Sequence, residues 1–100
     1  MNFLLDLGVE EQVLDFLNDN LLETEKTSIE LNSDNISSSI KYLKSIGVKL
    51  KTIEEILYED YTILMPGESK LKVAVSNTDS ELFVKQLNEN PKYMIYLKNF

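Results

Sequence analysis

Residues 36–64, ISSSIKYLKSIGVKLKTIEEILYEDYTIL, decide the fold. Ile36, Ile40, Leu43 and Ile46 recur at the spacing that gathers side chains on one helix face, and Ser33 or Asp34 stands where an N-cap is needed. Gly47 follows as the residue that closes a helix in the left-handed conformation. After the short link Val48 to Lys51, Thr52 with Glu55 has the form of a capping box, and Ile53, Ile56 and Leu57 supply a second buried side. The stretch therefore reads as a helical hairpin with a Gly turn and an apolar tail ending at Leu64.

N-terminal to it, residues 9–22 place Val9, Val13, Phe16, Leu17 and Leu21 at helical spacing with acids between them, and Asn18, Asp19 and Asn20 end that helix. Residues 23–34 are polar, and their brief alternation predicts a loop holding one short extended piece, Thr27 to Leu31. C-terminal to it, Pro66-Gly67 is a turn signal. Leu71, Val73 and Val75 alternate like a strand, yet Leu71, Ala74 and Val75 also fit i, i+3, i+4, with Glu68 or Ser69 as cap. Thr78 with Glu81 opens a further helix through Leu82, Phe83 and Leu87, which Pro91 stops, and residues 93–100 follow as a strand or a short terminal helix.

Self-similarity arbitrates. LLDLGV at 4–9 matches LKSIGV at 43–48, with Gly8 over Gly47, and the following helices align Val13 with Ile53, Phe16 with Ile56 and Leu17 with Leu57. A shift of thirty residues from the middle copy lays Phe83 on Ile53, Leu87 on Leu57, Pro91 on Tyr61, Met94 on Leu64, and Asn77 on Gly47 as the left-handed residue. The expected fold is all-α: one domain spanning 1–100, with five or six short helices stacked as helix-turn-helix units. The alternative is α+β, with helices on a small antiparallel sheet of Tyr61 to Met65, Lys70 to Ser76 and Tyr93 to Leu97.

The unit resembles the helical repeat of the mitochondrial transcription termination factor family (mTERF), whose pattern runs roughly L-x-x-L-G-V, a helix, then P-x-x-L. Leu43, Ile46, Gly47, Val48, Ile53, Ile56, Leu57 and Leu64 carry the resemblance in the middle copy, and Leu87, Pro91 and Met94 in the last. The resemblance implies stacked helices and, in members that bind nucleic acid, a basic groove. This chain differs in having Tyr61 in place of the family's Pro, an insertion at 23–31, and an acidic balance without Arg.

The chain has 100 residues, enough for one modest core, and a hydrophobic fraction of 43% beside 27% charged residues is that of a globular protein. Cys, His, Trp and Arg are absent, which removes disulfides, thiolate ligands, the usual general base and the usual bidentate phosphate clamp. No catalytic, cofactor or metal site is expected. The N-terminus has no basic leader or small-residue cleavage site, and no apolar run is long enough for a membrane span, so a cytoplasmic protein without membrane association is expected. Exclusive use of Lys over Arg, with abundant Asn and Ile, points to an AT-rich genome such as that of a low-GC bacterium or its phage.

The net charge of −7 lies entirely in residues 1–25, which hold seven acids and no lysine. Glu10, Glu11, Asp15 and Asp19 on the first amphipathic helix are the candidate contacts for a protein partner, and a non-enzymatic interaction module is the expected function. Lys41, Lys44, Lys49 and Lys51, with Tyr42 interleaved, form a local basic patch. They are the alternative, nucleic-acid contacts at which a phosphate backbone could dock. Neighbouring carboxylates (Glu10-Glu11, Glu54-Glu55, Glu59-Asp60) point apart on a helix and do not make an acid-base pair. Capping or solvation accounts for Ser37 to Ser39, and Tyr58, Tyr61, Tyr93 and Tyr96 read as core edge rather than a stacking platform.

Overall fold

In the computed structural model, which describes the backbone of residues 1–97 and the side chains of residues 1–94, every regular element is helical. The order is α1 (Phe3–Asp6), α2 (Glu11–Asn20), α3 (Glu23–Leu31), α4 (Ser33–Ser45) and α5 (Leu50–Asp60), then a first 3₁₀ helix (Tyr61–Leu64). Next come α6 (Glu68–Ser76), α7 (Ser80–Glu89) and a second 3₁₀ helix (Pro91–Leu97). No strand occurs among the described residues, so the fold is all-α and the sheet at 61–65, 70–76 and 93–97 is ruled out. The test lies in α6: Leu71, Ala74 and Val75 are buried while Val73 is 63% exposed, the pattern of a helix and not of alternation. Tyr96's side chain and residues 98–100 lie outside the described residues.

The repeat is visible as geometry. Gly8 and Gly47 have φ of +94° and +107°, and each sits one residue beyond a helix's last capping position. Val9 N–H donates to Leu4 O at 3.1 Å and Val48 N–H to Leu43 O at 3.0 Å, the six-to-one bond of a Schellman motif in both copies. Leu4 and Leu43 are buried, as are Val9 and Val48, Val13 and Ile53, and Leu17 and Leu57. The third unit keeps the core positions, with Phe83, Leu87 and Met94 buried, but not the turn. Asn77 has φ −83°, so the expected left-handed Asn is not there. A 3₁₀ tail follows both α5 and α7. The elements extend over 37 × 21 × 21 Å, as stacking along one axis would give. Phe16 departs from its repeat mate: Ile56 is buried, whereas Phe16 is 37% exposed at the edge of α2.

Seven α-helices among the described residues, where five or six were expected, follow chiefly from α3. Residues 23–31 are not an extended loop. Glu23 and Glu25 in the first turn suit the positive end of the helix dipole, and Glu25 reaches back to accept Leu22 N–H at 3.1 Å. Only Ile29 is fully buried and Leu31 is 82% exposed, so this helix lacks the apolar stripe that would have announced it. It passes into α4 through the single residue Asn32, which occupies the N-cap position expected at Ser33 or Asp34.

α4 is the central element, packing against α1, α3, α5, α6 and the first 3₁₀ helix. Its buried face of Ile36, Ile40 and Leu43 also carries Ser39, which is fully buried and donates to Leu64 O at 2.6 Å. Ser38 Oγ accepts Glu68 N–H at 3.1 Å, so part of the serine run ties α4 to the start of α6 and is not merely solvated. The capping boxes shift too: the N-caps are Lys49 and Asp79, not Thr52 and Thr78, and at the start of α6 the position belongs to Gly67. Gly47→Ala tests the turn. A Cβ there would lie 3.5 Å from Val84 Cγ1, an ordinary contact, so the cost is that of the left-handed backbone, about 1–2 kcal/mol. A urea midpoint unchanged by this substitution would show that the turn relaxes into another conformation.

Candidate functional site

α2 sets the acidic surface. It buries Val13, Leu14 and Leu17, which leaves Glu11, Asp15 and Asp19, at i, i+4 and i+8, in one exposed stripe. Glu10 stands apart at the N-cap position. Its backbone N–H donates to Glu54 Oε2 on α5 at 2.8 Å, and its own carboxylate accepts from Gln12 at 2.7 Å. Among the described residues, ion pairs join the Met1 amino group to Glu30 and Lys26 to Glu23, and neither involves the stripe. Asp19 lies in the last turn of α2, where the helix dipole is negative and no basic residue answers it.

The four patch lysines are all exposed but not equivalent. Lys41 and Lys44 are on α4, Lys49 is the N-cap of α5, and Lys51 lies in its first turn. Lys44 Nζ donates to Leu7 O at 3.0 Å, closing the C-terminal end of α1. One of the four candidate phosphate contacts is thus occupied by the protein's own backbone. The N-terminus of α5 is occupied as well, because Asn88 Oδ1 from α7 accepts Lys49 N–H at 3.0 Å.

Beside the acidic stripe runs a groove of about 340 Å³ between α2 and the α5–3₁₀ junction. Phe16 meets Tyr58 edge-on, with ring centroids 4.8 Å apart and planes at 72°. The Tyr61 hydroxyl donates to Glu25 Oε2 at 3.0 Å. Burial first, then the bond to Glu25 and the charges of Glu25 and Asp60, push that hydroxyl above its ordinary pKa. Glu59 and Asp60 close the end of the groove. Tyr58, Tyr61 and Tyr93 do pack at the edge of the core, as expected, but the groove that Tyr58 and Tyr61 line beside Phe16 was not foreseen. The usable signal was angular: on the α2 wheel Phe16 falls between the acidic stripe and the buried face.

Glu54 and Glu55, like Glu59 and Asp60, are successive residues of α5, and no group of three or more Asp or Glu among the described residues is placed to hold a metal ion. No helix among them is long and apolar enough to cross a membrane. The class defined by fold and surface is an all-α protein of stacked helix-turn-helix units with an exposed acidic face on α2. No protein-family model, curated protein or solved structure matches the chain.

Proposed function

We propose that this chain is a non-enzymatic interaction module that binds a protein partner through the acidic face of α2, using Glu10, Glu11, Asp15 and Asp19. The observation that carries this reading is the stripe of Glu11, Asp15 and Asp19, exposed and without a cationic partner among the described residues. Like charges left together oppose folding, and a basic partner surface relieves that cost while steering association. Nucleic-acid binding through Lys41, Lys44, Lys49 and Lys51 is the rival, and the bond from Lys44 to Leu7 O weighs against it.

The two separate in one experiment. The combined substitutions Glu11→Gln, Asp15→Asn and Asp19→Asn should weaken capture of a protein partner by about 10- to 100-fold at low salt, taking each rim charge as worth up to about 1 kcal/mol. Replacing the four lysines by Ser should leave capture intact. Capture unaffected by the acidic substitutions and lost with the lysines would overturn the assignment, as would salt-dependent oligonucleotide binding abolished by the lysine substitutions.

A further inference from the structure

We infer that the start of α2, where the acidic face begins, is held by a relay of borrowed helix caps that runs from α7 through α5. Asn88 and Glu54 are its two positioning residues. The relay goes beyond the protein-partner function proposed above and does not depend on it, since it can be read on the free chain.

The sequence gives the reason that caps are borrowed. The N–H of an N-cap residue is ordinarily accepted by a Glu or Gln side chain at the third helical position. In α2 that position is Val13, a core residue, and in α5 it is Thr52, whose buried hydroxyl itself donates to Asn88 Oδ1 at 2.9 Å. Neither N-cap residue, Glu10 or Lys49, makes a side-chain cap bond, and a lysine has no acceptor to offer. The acceptor comes from the following unit instead. Asn88 Oδ1 takes Lys49 N–H at 3.0 Å, and Glu54 Oε2 takes Glu10 N–H at 2.8 Å. α7 begins the series without help, because Asp79 caps its own helix by accepting Glu81 N–H at 3.1 Å and Leu82 N–H at 3.2 Å.

The first turns of α5 join the two borrowed bonds. Asn88 fastens Gly47, Lys49 and Thr52, and Glu54 follows Thr52 by two residues on the same helix. Helix ends open locally before the core does. Fraying of this turn would displace the backbone that carries Glu54, and its carboxylate would lose its aim at Glu10. Other bonds at the start of α2 are local to that turn: Val13 N–H donates to Glu10 O at 3.0 Å, and Gln12 Nε2 to the Glu10 carboxylate at 2.7 Å. Burial holds the middle of α2 through Val13, Leu14 and Leu17, whereas Glu10 is exposed. Protection of the Glu10 amide therefore reports the borrowed bond and not the core.

The experiment is amide hydrogen exchange, followed by NMR on the full chain. Wild-type protein in urea, at the concentration that matches each variant's global stability, is the control for general destabilisation. Glu54→Ala should speed exchange at Glu10 by about fivefold, and Glu54→Gln, which keeps an acceptor, by less than about twofold. Asn88→Ala should speed exchange at Lys49 by about tenfold and at Glu10, on a different helix, by about threefold beyond the matched control. Asn88→Asp keeps the acceptor and should return both amides to within about twofold of wild type. Placed on Glu54→Ala, Asn88→Ala should leave Glu10 where Glu54→Ala alone put it, because the fastening is already gone. Asn88→Gln, which moves the amide by one methylene, is the second disruption should Asn88→Ala be too unstable to measure.

Exchange at Glu10 no faster in Asn88→Ala than in the matched control would overturn the relay and leave two separate caps. An equal effect of Asn88→Ala at Glu10 with and without Glu54 would overturn it as well, since the influence would then pass through the packing of α2 on α5. So would rescue by Asn88→Asp at Lys49 but not at Glu10. Partner capture enters none of these outcomes, so failure of the relay and failure of the proposed function are read separately.

Discussion

Asn88→Ala should lower the unfolding free energy by about 3 kcal/mol, the sum of a lost helix cap at about 1 kcal/mol and an orphaned buried hydroxyl at about 1–3 kcal/mol. The Asn88 side chain leaves α7 and does three things at the Gly47 turn. Its Oδ1 accepts Lys49 N–H at 3.0 Å and Thr52 Oγ1–H at 2.9 Å, and its Nδ2 donates to Gly47 O at 3.1 Å. Thr52 is 4% exposed, so water cannot readily replace the acceptor it loses. For a chain of this size the loss corresponds to a melting temperature lower by about 10–20 °C. Two further substitutions apportion it. Asn88→Asp keeps the acceptor at the start of α5, where a negative charge is favourable, and loses only the donor to Gly47, so it should cost about 1 kcal/mol. Thr52→Val placed on Asn88→Ala removes the orphaned hydroxyl and should recover about 1 kcal/mol, a coupling readable by a double-mutant cycle in urea. A cost of only a few tenths of a kcal/mol for Asn88→Ala would mean that solvent takes over the cap and that α7 does not clamp the turn.

The same device occurs one unit earlier, where Glu54 Oε2 accepts Glu10 N–H at the start of α2. In both cases the acceptor comes from a later helix, and this explains where reading the sequence succeeded and where it failed. The S/T-x-x-E rule assumes a local acceptor. With Asn88 supplying one across 39 residues, α5 begins at Leu50, and Thr52 becomes a buried residue of the first turn and not its cap. What depends only on spacing was legible: the buried faces of α4 and α5, and Gly8 and Gly47 as positive-φ residues. α3 was not, because a helix with one fully buried side chain leaves no periodic signal. The stripe of Glu11, Asp15 and Asp19 could be read because it lies on one helix. The groove could not, since it exists only where α2 meets α5, two elements some forty residues apart.

Leu43→Ala should cost about 3–5 kcal/mol, the upper part of the range for deleting a fully buried leucine, because its surroundings cannot collapse into the space. Leu43 is completely buried on α4, which is held on several sides by α1, α3, α5, α6 and the first 3₁₀ helix, and its carbonyl anchors the Schellman turn. Against a typical domain stability of about 5–15 kcal/mol, that loss brings the chain close to its threshold. Its slope in urea is the more informative quantity. Units that touch only their neighbours unfold as a sum of weakly coupled steps. α4 instead joins the first unit, the inserted α3 and the third unit's α6 within one continuous core cluster, so removing Leu43 should shift the midpoint and leave m unchanged. Leu4, its repeat mate, is equally buried but sits on α1, four residues long and near the chain start. Leu4→Ala should therefore cost less and release α1 locally, seen as amide exchange at residues 3–9 faster than the rest of the chain. Two resolved transitions in Leu43→Ala would show that the units fold separately despite α4, and its place at the centre would then be one of topology and not of cooperativity.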